Sequence, residues 1–176
     1  VSHSDQEGRL ALMDPVIRDT LVGWWGEGIL DGEGEVDRSA VARIVFSNPD
    51  ERRRLEALTH PWIHARRAAL FEGAPPETPA FVIDAPLLLE AGLDRDCAAV
   101  IFVDAPRELR FERVKKSRGW DAEELARREE SQLPLDEKRA RADYVLENHG
   151  DMSMLADQVH SVLHEILRSH AEGASA

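Results

Sequence analysis

The sequence predicts an α/β fold built on a parallel sheet. Two short runs carry that prediction, Phe81–Asp84 and Ala98–Asp104. Each is continuously apolar and each ends in aspartate, as expected of a strand covered on both faces. A third run, Asp143–Glu147, is closed by Asn148-His149-Gly150. Helical patterns lie between the strands, which is the order a parallel sheet requires. Three strands are few for a doubly wound sheet, so part of the sheet is expected to be missing from this chain.

The elements follow in order. Asp14-Pro15 opens a helix expected to reach Trp25, with a carboxylate cap followed by proline at the first helical position. Glycines 23, 26, 28, 32 and 34 end it and make a loop. Asp37 caps a short helix over Arg38–Phe46. Asn48-Pro49 opens a longer one, with Glu51 at the capping-box position. Leu55, Leu58, Trp62 and Ile63 form its apolar stripe, and Pro61 predicts a break or kink near Thr59-His60. The linker Gly73–Pro79 separates this helical part from the strands. After Asp104, helices are expected from Pro106 to Lys116, from Asp121 to Ser131 and from Pro134 to Ala142. An amphipathic helix over Met152–Arg168 follows, and the tail SHAEGASA is expected to be disordered.

Composition bounds the function. The chain has 176 residues, 43% hydrophobic and 32% charged, enough for one domain with a core. A net charge of −12 argues against a general nucleic-acid or anionic-membrane binder. A lone cysteine, Cys97, excludes an internal disulfide and a cysteine zinc site. No run approaches the roughly 18 apolar residues of a membrane span. The polar start VSHSDQEGRL does not read as a signal peptide, so a cytoplasmic location is expected. A first residue of Val1 rather than Met reads as a fragment, a processed product or a start codon placed too late.

The densest chemical signal lies between the second and third strands. Arg107, Arg110, Arg113, Arg118, Arg127 and Arg128 lead a basic cluster in an otherwise acidic chain. Interleaved acids make much of it a solvated helical face with i,i+4 pairs. As a group after a strand end, the arginines also suit a flap that closes over phosphates, because guanidinium forks match phosphate oxygens. Asp84, at the carboxyl end of its strand, stands where ligands of parallel sheets bind. The alternative for Asp84 is a capped turn. His60 is more commonly a structural residue than a catalyst. With His64 it has metal-ligand spacing, but no HExxH pattern or third ligand supports a metal there. The phosphate-loop pattern GxxxxGK[ST] is absent, as are GxGxxG in a βαβ unit and a GxSxG elbow.

Taken together, an ordered set of segments resembles the dephospho-CoA kinases. They are Gly34–Arg38, Ile44–Pro49, Leu55–Ile63, Asp84–Glu90, Phe102–Asp104, Arg128-x-x-x-Gln132, Glu137–Arg139 and Ala142–Asn148. Each is modest alone; their order and spacing over Gly34–Gly150 make the resemblance specific. It implies a three-layer parallel sheet of P-loop kinase type, with a helical substrate-binding subdomain and a lid, here lacking strands 1 and 2. Within a single domain, residues 14–72 would be the subdomain, 80–105 and 143–169 the core, and 106–142 the lid. It also implies ATP and dephospho-CoA as ligands, a magnesium ion with ATP, and transfer of the γ-phosphoryl group to the 3′-hydroxyl of the substrate ribose. No nucleic acid and no membrane are expected, and a monomer or weak oligomer is. Carried over, Arg113 and Arg118 are candidate catalytic lid arginines and Arg139 a candidate for the ATP side. His60 and Glu90 would line the substrate site, and Asp84 would organise magnesium. The family's phosphate loop and the aspartate that acts as base have no match here. The resemblance therefore implies a longer protein, with roughly 30 further residues, and little turnover from residues 1–176. Two other readings stay open: a non-catalytic remnant that binds CoA-like nucleotides or a partner protein, and a different P-loop kinase with a related lid.

Overall fold

A computed structural model describes residues 1–173 of the chain. They pack as two compact units, Val1–Ala85 and Pro86–Ala176.

The first unit is mainly helical. Strand β1 (Ser2–His3) leads into α1 (Ser4–Leu12), α2 (Pro15–Trp25), a 3-10 turn (Glu27–Ile29), α3 (Arg38–Ser47), α4 (Pro49–Glu72) and β2 (Ile83–Asp84). The caps read from sequence do their work. Asp14 Oδ1 accepts the N–H groups of Val16 at 2.9 Å and Ile17 at 3.2 Å, and Asp37 accepts that of Ser39 at 2.8 Å. Those bonds satisfy donors that the first helical turn leaves free. Asn48 likewise accepts from Asp50 and Glu51. Glu51 does not complete a capping box, because its carboxylate accepts the Trp25 indole N–H at 2.8 Å instead.

The apolar faces of these helices converge on Ala11, Ile17, Leu21, Ile29, Ala40 and Val41, all buried. Leu55, Leu58, Trp62 and Ile63 of α4 pack against that cluster from both sides of Pro61. Of the expected break or kink, the break does not occur: α4 is one helix across Pro61. Proline costs a helix interior about 3 kcal/mol. Burying one large aliphatic side chain returns about 1.5–3 kcal/mol, and this helix carries several on the same stripe. Helix α1 was not expected from sequence. It seats Ala11 in the core and places Ser2 and Ser4 beside Arg67, which is only 6% exposed.

The second unit holds a 3-10 turn (Leu93–Asp96), β3 (Ile101–Asp104), α5 (Arg107–Arg118), α6 (Ala122–Glu130), α7 (Leu135–Arg141), β4 (Tyr144–Glu147) and α8 (Met152–Gly173). The final helix thus continues through residues 169–173, where a disordered tail was expected; Ala174–Ala176 lie outside the described residues. Gln158 of α8 brackets the end of β4, accepting the Glu147 N–H at 2.8 Å and donating to its carbonyl at 3.1 Å.

The strands are parallel, as predicted, but they form two two-stranded sheets, β1 with β2 and β3 with β4. Each is shorter than its apolar run. Phe81 and Val82 lie outside β2 and are both 49% exposed, and Ile101 and Val103 of β3 are exposed too. The expectation of strands covered on both faces therefore fails among the described residues. A backbone extends as a strand where its N–H and C=O groups find a ladder, and each strand here has one neighbour. The apolar run sets where a strand can form; the partner sets how long it is.

Candidate active site

The carboxyl edge of β3–β4 is the chemically richest place in the second unit. Asp104 ends β3 in register with Glu147, the last residue of β4. The Asn148 N–H donates to the Asp104 carbonyl at 2.7 Å, which ties the two strand ends together. Two arginines reach this edge from different helices. Arg139, in the last turn of α7, forms an ion pair with Asp104. Arg113, on α5, donates to Asn148 Oδ1 at 2.9 Å and to the Asn148 carbonyl at 3.4 Å. Both arginines are exposed, so each retains N–H donors for an anion.

Arg118 ends α5 one residue before Gly119, whose φ of 68° turns the chain out of the helix. A side chain at that φ would be strained, so glycine suits the turn that ends α5. Its guanidinium lies 4.9 Å from the centre of the Trp120 ring, and that of Arg128 lies 4.3 Å from it. The cleft beside them, about 620 Å³, is lined in part by Arg110, Arg113, Trp120, Leu125 and Arg128. Its lining mixes apolar side chains with three arginines and with Glu129 and Glu130, and Glu129 already pairs with Arg110.

Glu90 is turned inward. Its residue is open to solvent at the backbone, but its side chain is only 18% exposed. The carboxylate accepts from Lys138 Nζ at 2.8 Å and from the Leu133 N–H at 2.9 Å. Burial works against its charge, yet those two hydrogen bonds and the ammonium charge outweigh burial and hold its pKa below the usual glutamate value.

The remaining candidates lie in the first unit. Asp84 ends β2 in register with His3, and its carboxylate accepts from His3 Nδ1 at 3.1 Å. It is 65% exposed. His60 is exposed on α4 and has no hydrogen-bond partner among the described residues. No group of three or more His, Cys, Asp or Glu side chains able to hold a metal occurs among the described residues. That does not argue against magnesium carried by a nucleotide, which takes one or two carboxylates with phosphate and water for the rest.

Sequence reading missed Asn148 as the partner of Arg113, Trp120 between its two arginines, and Lys138 as the partner of Glu90. Lys138 and Gln132 do stand in the segments that carry the family resemblance, but spacing alone gave no sign that they meet.

The chain is similar to proteins of one known family. The family model described as dephospho-CoA kinase matches residues 9–154. A dephospho-CoA kinase of Deinococcus radiodurans is 41% identical over 167 residues, covering 94% of this chain and 80% of that protein. A crystal structure from Thermus thermophilus matches with a TM-score of 0.79 and 35% identity, covering 93% of this chain and 83% of that one. The dephospho-CoA kinase of Campylobacter jejuni shares the fold, with a TM-score of 0.65 at 24% identity over 96% of this chain and 85% of that one. The architecture is therefore the α/β fold of these proteins, with small parallel sheets among many helices. A match of this length and identity settles the family: the chain belongs to the dephospho-CoA kinases and is, by that membership, a kinase.

Proposed function

We propose that the protein transfers the γ-phosphoryl group of ATP to the 3′-hydroxyl of dephospho-CoA, giving coenzyme A. The observation that carries this reading, beside family membership, is the pair of guanidinium groups of Arg113 and Arg139 at the carboxyl edge of β3–β4. Phosphoryl transfer asks little covalent chemistry of a protein. It asks for positive groups held where negative charge spreads over the transferring phosphate.

In this reading Arg113 and Arg118 face the transferring phosphates and Arg139 faces the ATP side. Asp104 and Asn148 hold Arg139 and Arg113 in place before ligand arrives, so less side-chain freedom is lost on binding. His60 and Glu90 belong to the substrate side, Glu90 through the loop that it shapes. Magnesium bound with ATP would offset phosphate charge, and Asp84, an exposed carboxylate at a strand end, would hold it there. Residues 1–176 contain no GxxxxGK[ST] loop, and we propose that this stretch alone turns over slowly or not at all. The protein is proposed to work in the cytoplasm as a monomer or weak oligomer, with no nucleic acid as partner; no helix among the described residues is long and apolar enough to cross a membrane.

The test is the protein as its gene encodes it, assayed with ATP and a panel of acceptors. Dephospho-CoA should be phosphorylated in preference to nucleoside monophosphates. Equal use of the monophosphates would favour a different small-molecule kinase, and nucleotide binding without turnover would favour a non-catalytic remnant. Arg118→Ala should lower kcat at least tenfold; an unchanged kcat removes Arg118 from the site.

A further inference from the structure

Lys138 sits in a setting that a surface lysine does not need. It is 8% exposed, and its ammonium meets three acceptors. Nζ lies 2.8 Å from Glu90 Oε1, 2.9 Å from the Pro86 carbonyl and 2.9 Å from Gln132 Oε1. An ammonium has three donors, so all of them are used. The Glu90 carboxylate adds the Leu133 N–H at 2.9 Å. One charged group thus joins both ends of the loop Pro86–Glu90 to the connector between α6 and α7.

The neighbours of Lys138 on α7 are fixed in the same way. Arg139 pairs with Asp104, and Arg141 Nη2 lies 2.9 Å from Asp94 Oδ2. The chain leaving α7 is bonded as well, with Asp143 and Tyr144 both donating to the Val100 carbonyl. Helix α6 is held differently. Its ion pairs run from Arg127 and Arg128 to Glu124 within the helix, and from Glu129 to Arg107 and Arg110 of α5. Among the described residues no hydrogen bond or ion pair joins α6 to β3, β4 or the loop Pro86–Glu90. Arginine pairs inside an exposed helix are weak restraints. A buried, fully coordinated ammonium is a strong one.

We infer that Lys138 is a positioning residue that anchors one side of the lid: it locks α7 and the connector from Gln132 onward to the loop Pro86–Glu90, so that α6 moves against a fixed α7 and the hinge lies at Ser131. The lid motion rests on the kinase reading; the anchor itself does not. In consequence Arg139 belongs to the fixed frame, as does Arg113 of α5 through Asn148, and Arg128 of α6 to the moving part. Closure then carries Arg128 toward guanidinium groups already in place.

Residue-resolved amide hydrogen exchange on the protein as its gene encodes it tests this. Without ligand, the amides of Leu133 and of residues 138–141 should exchange at least tenfold more slowly than those of residues 125–130. In Lys138→Met the first group should speed up at least tenfold, while the β3–β4 ladder amides of Val103 and Leu146 change less than threefold. Unchanged exchange at 133 and 138–141 in the variant would overturn the proposal, as would a slow α6 in the parent chain. If the ladder speeds up equally, Glu90→Gln decides, since it keeps the size of the side chain and an acceptor for Leu133. Faster exchange at Leu133 by threefold or more with an unchanged ladder supports the anchor, and parallel acceleration of both overturns it. Adding ATP gives a readout that a merely structural lysine would not move. In the parent chain ATP should slow α6 at least tenfold and leave α7 within threefold, whereas in Lys138→Met α7 should respond together with α6. A parent α7 that slows as much as α6 contradicts the hinge. If ATP protects no segment, the kinase reading and the hinge fall together, while the ligand-free arm still decides the anchor.

Discussion

Val1–Ala85 and Pro86–Ala176 are similar in size but are held together by different forces. In the first unit six apolar residues from three helices, the 3-10 turn and their surroundings form one dry cluster, with four more from α4 against it. Among the described residues of the second unit the buried apolar ones are Leu89, Leu125 and Leu146, which form no comparable cluster. What recurs there is charge: Lys138 with Glu90, Arg139 with Asp104, Arg141 with Asp94, and Arg110 with Glu129. Apolar packing is non-directional and insensitive to salt, and it suits a part that must keep its shape. Ion pairs are directional and exchangeable, and they suit a part that must open, meet an anion and close again. The molecule thus separates a rigid helical unit from one whose internal bonds are of the same chemical kind as those it would make to phosphate.

This contrast is open to attack on both sides. The largest effect is expected in the dry cluster. Leu21 is fully buried, so Leu21→Ala should cost about 2–5 kcal/mol of stability in urea unfolding, from lost burial and the cavity left behind. A cost under about 1 kcal/mol would mean that the first unit is not held by its core. Next comes the charged node. Lys138→Met should cost about 2–3 kcal/mol, somewhat less than a fully buried ion pair, because Glu90 keeps some solvent. A smaller change is expected from Asn48→Ala, which removes the cap of α4 and should cost about 1 kcal/mol.

Acid should separate the two forces further. The folded pKa of Glu90 is lowered, so its contribution is fully present above the ordinary glutamate value of about 4.3 and is lost as pH falls through the lower folded value. Protection of the Leu133 amide, relative to its intrinsic exchange rate at each pH, should therefore fall in that window in the parent chain and stay flat in Glu90→Gln. Asp14 behaves alike in the first unit: the Ile17 N–H and then the Trp62 indole lower its pKa, so protonation loosens the start of α2. The smallest effect is that of salt. Raising NaCl from about 0.05 to 0.5 M shortens the screening length severalfold. It should speed exchange in α6 and leave the α2 and α4 amides unchanged.

Much of this was legible in the chain. Asp14-Pro15, Asp37 and Asn48-Pro49 mark their helices because each supplies an acceptor for free N–H groups, a local event that sequence records. Strands β2, β3 and β4 were legible as runs, whereas the polar β1 (Ser2–His3) was not, and the arginines were legible as a cluster. What escaped depends on contacts far apart in the chain. Helix α1 is polar on most of its surface and is recognised only once Ala11 finds the core. The continuity of α4 across Pro61 depends on side chains on both sides of the proline meeting one surface. Glu90 could be placed near a ligand by its position after a strand, but nothing local shows that Lys138, 48 residues on in sequence, completes its coordination.

The most direct test of the central claim is a binding comparison on the protein as its gene encodes it, by calorimetric titration of dephospho-CoA against adenosine monophosphate. The account predicts that dephospho-CoA binds at least tenfold more tightly, since its acceptor ribose comes with a pyrophosphate and an extended arm that the monophosphate lacks. Equal affinity, or tighter binding of the monophosphate, would contradict it.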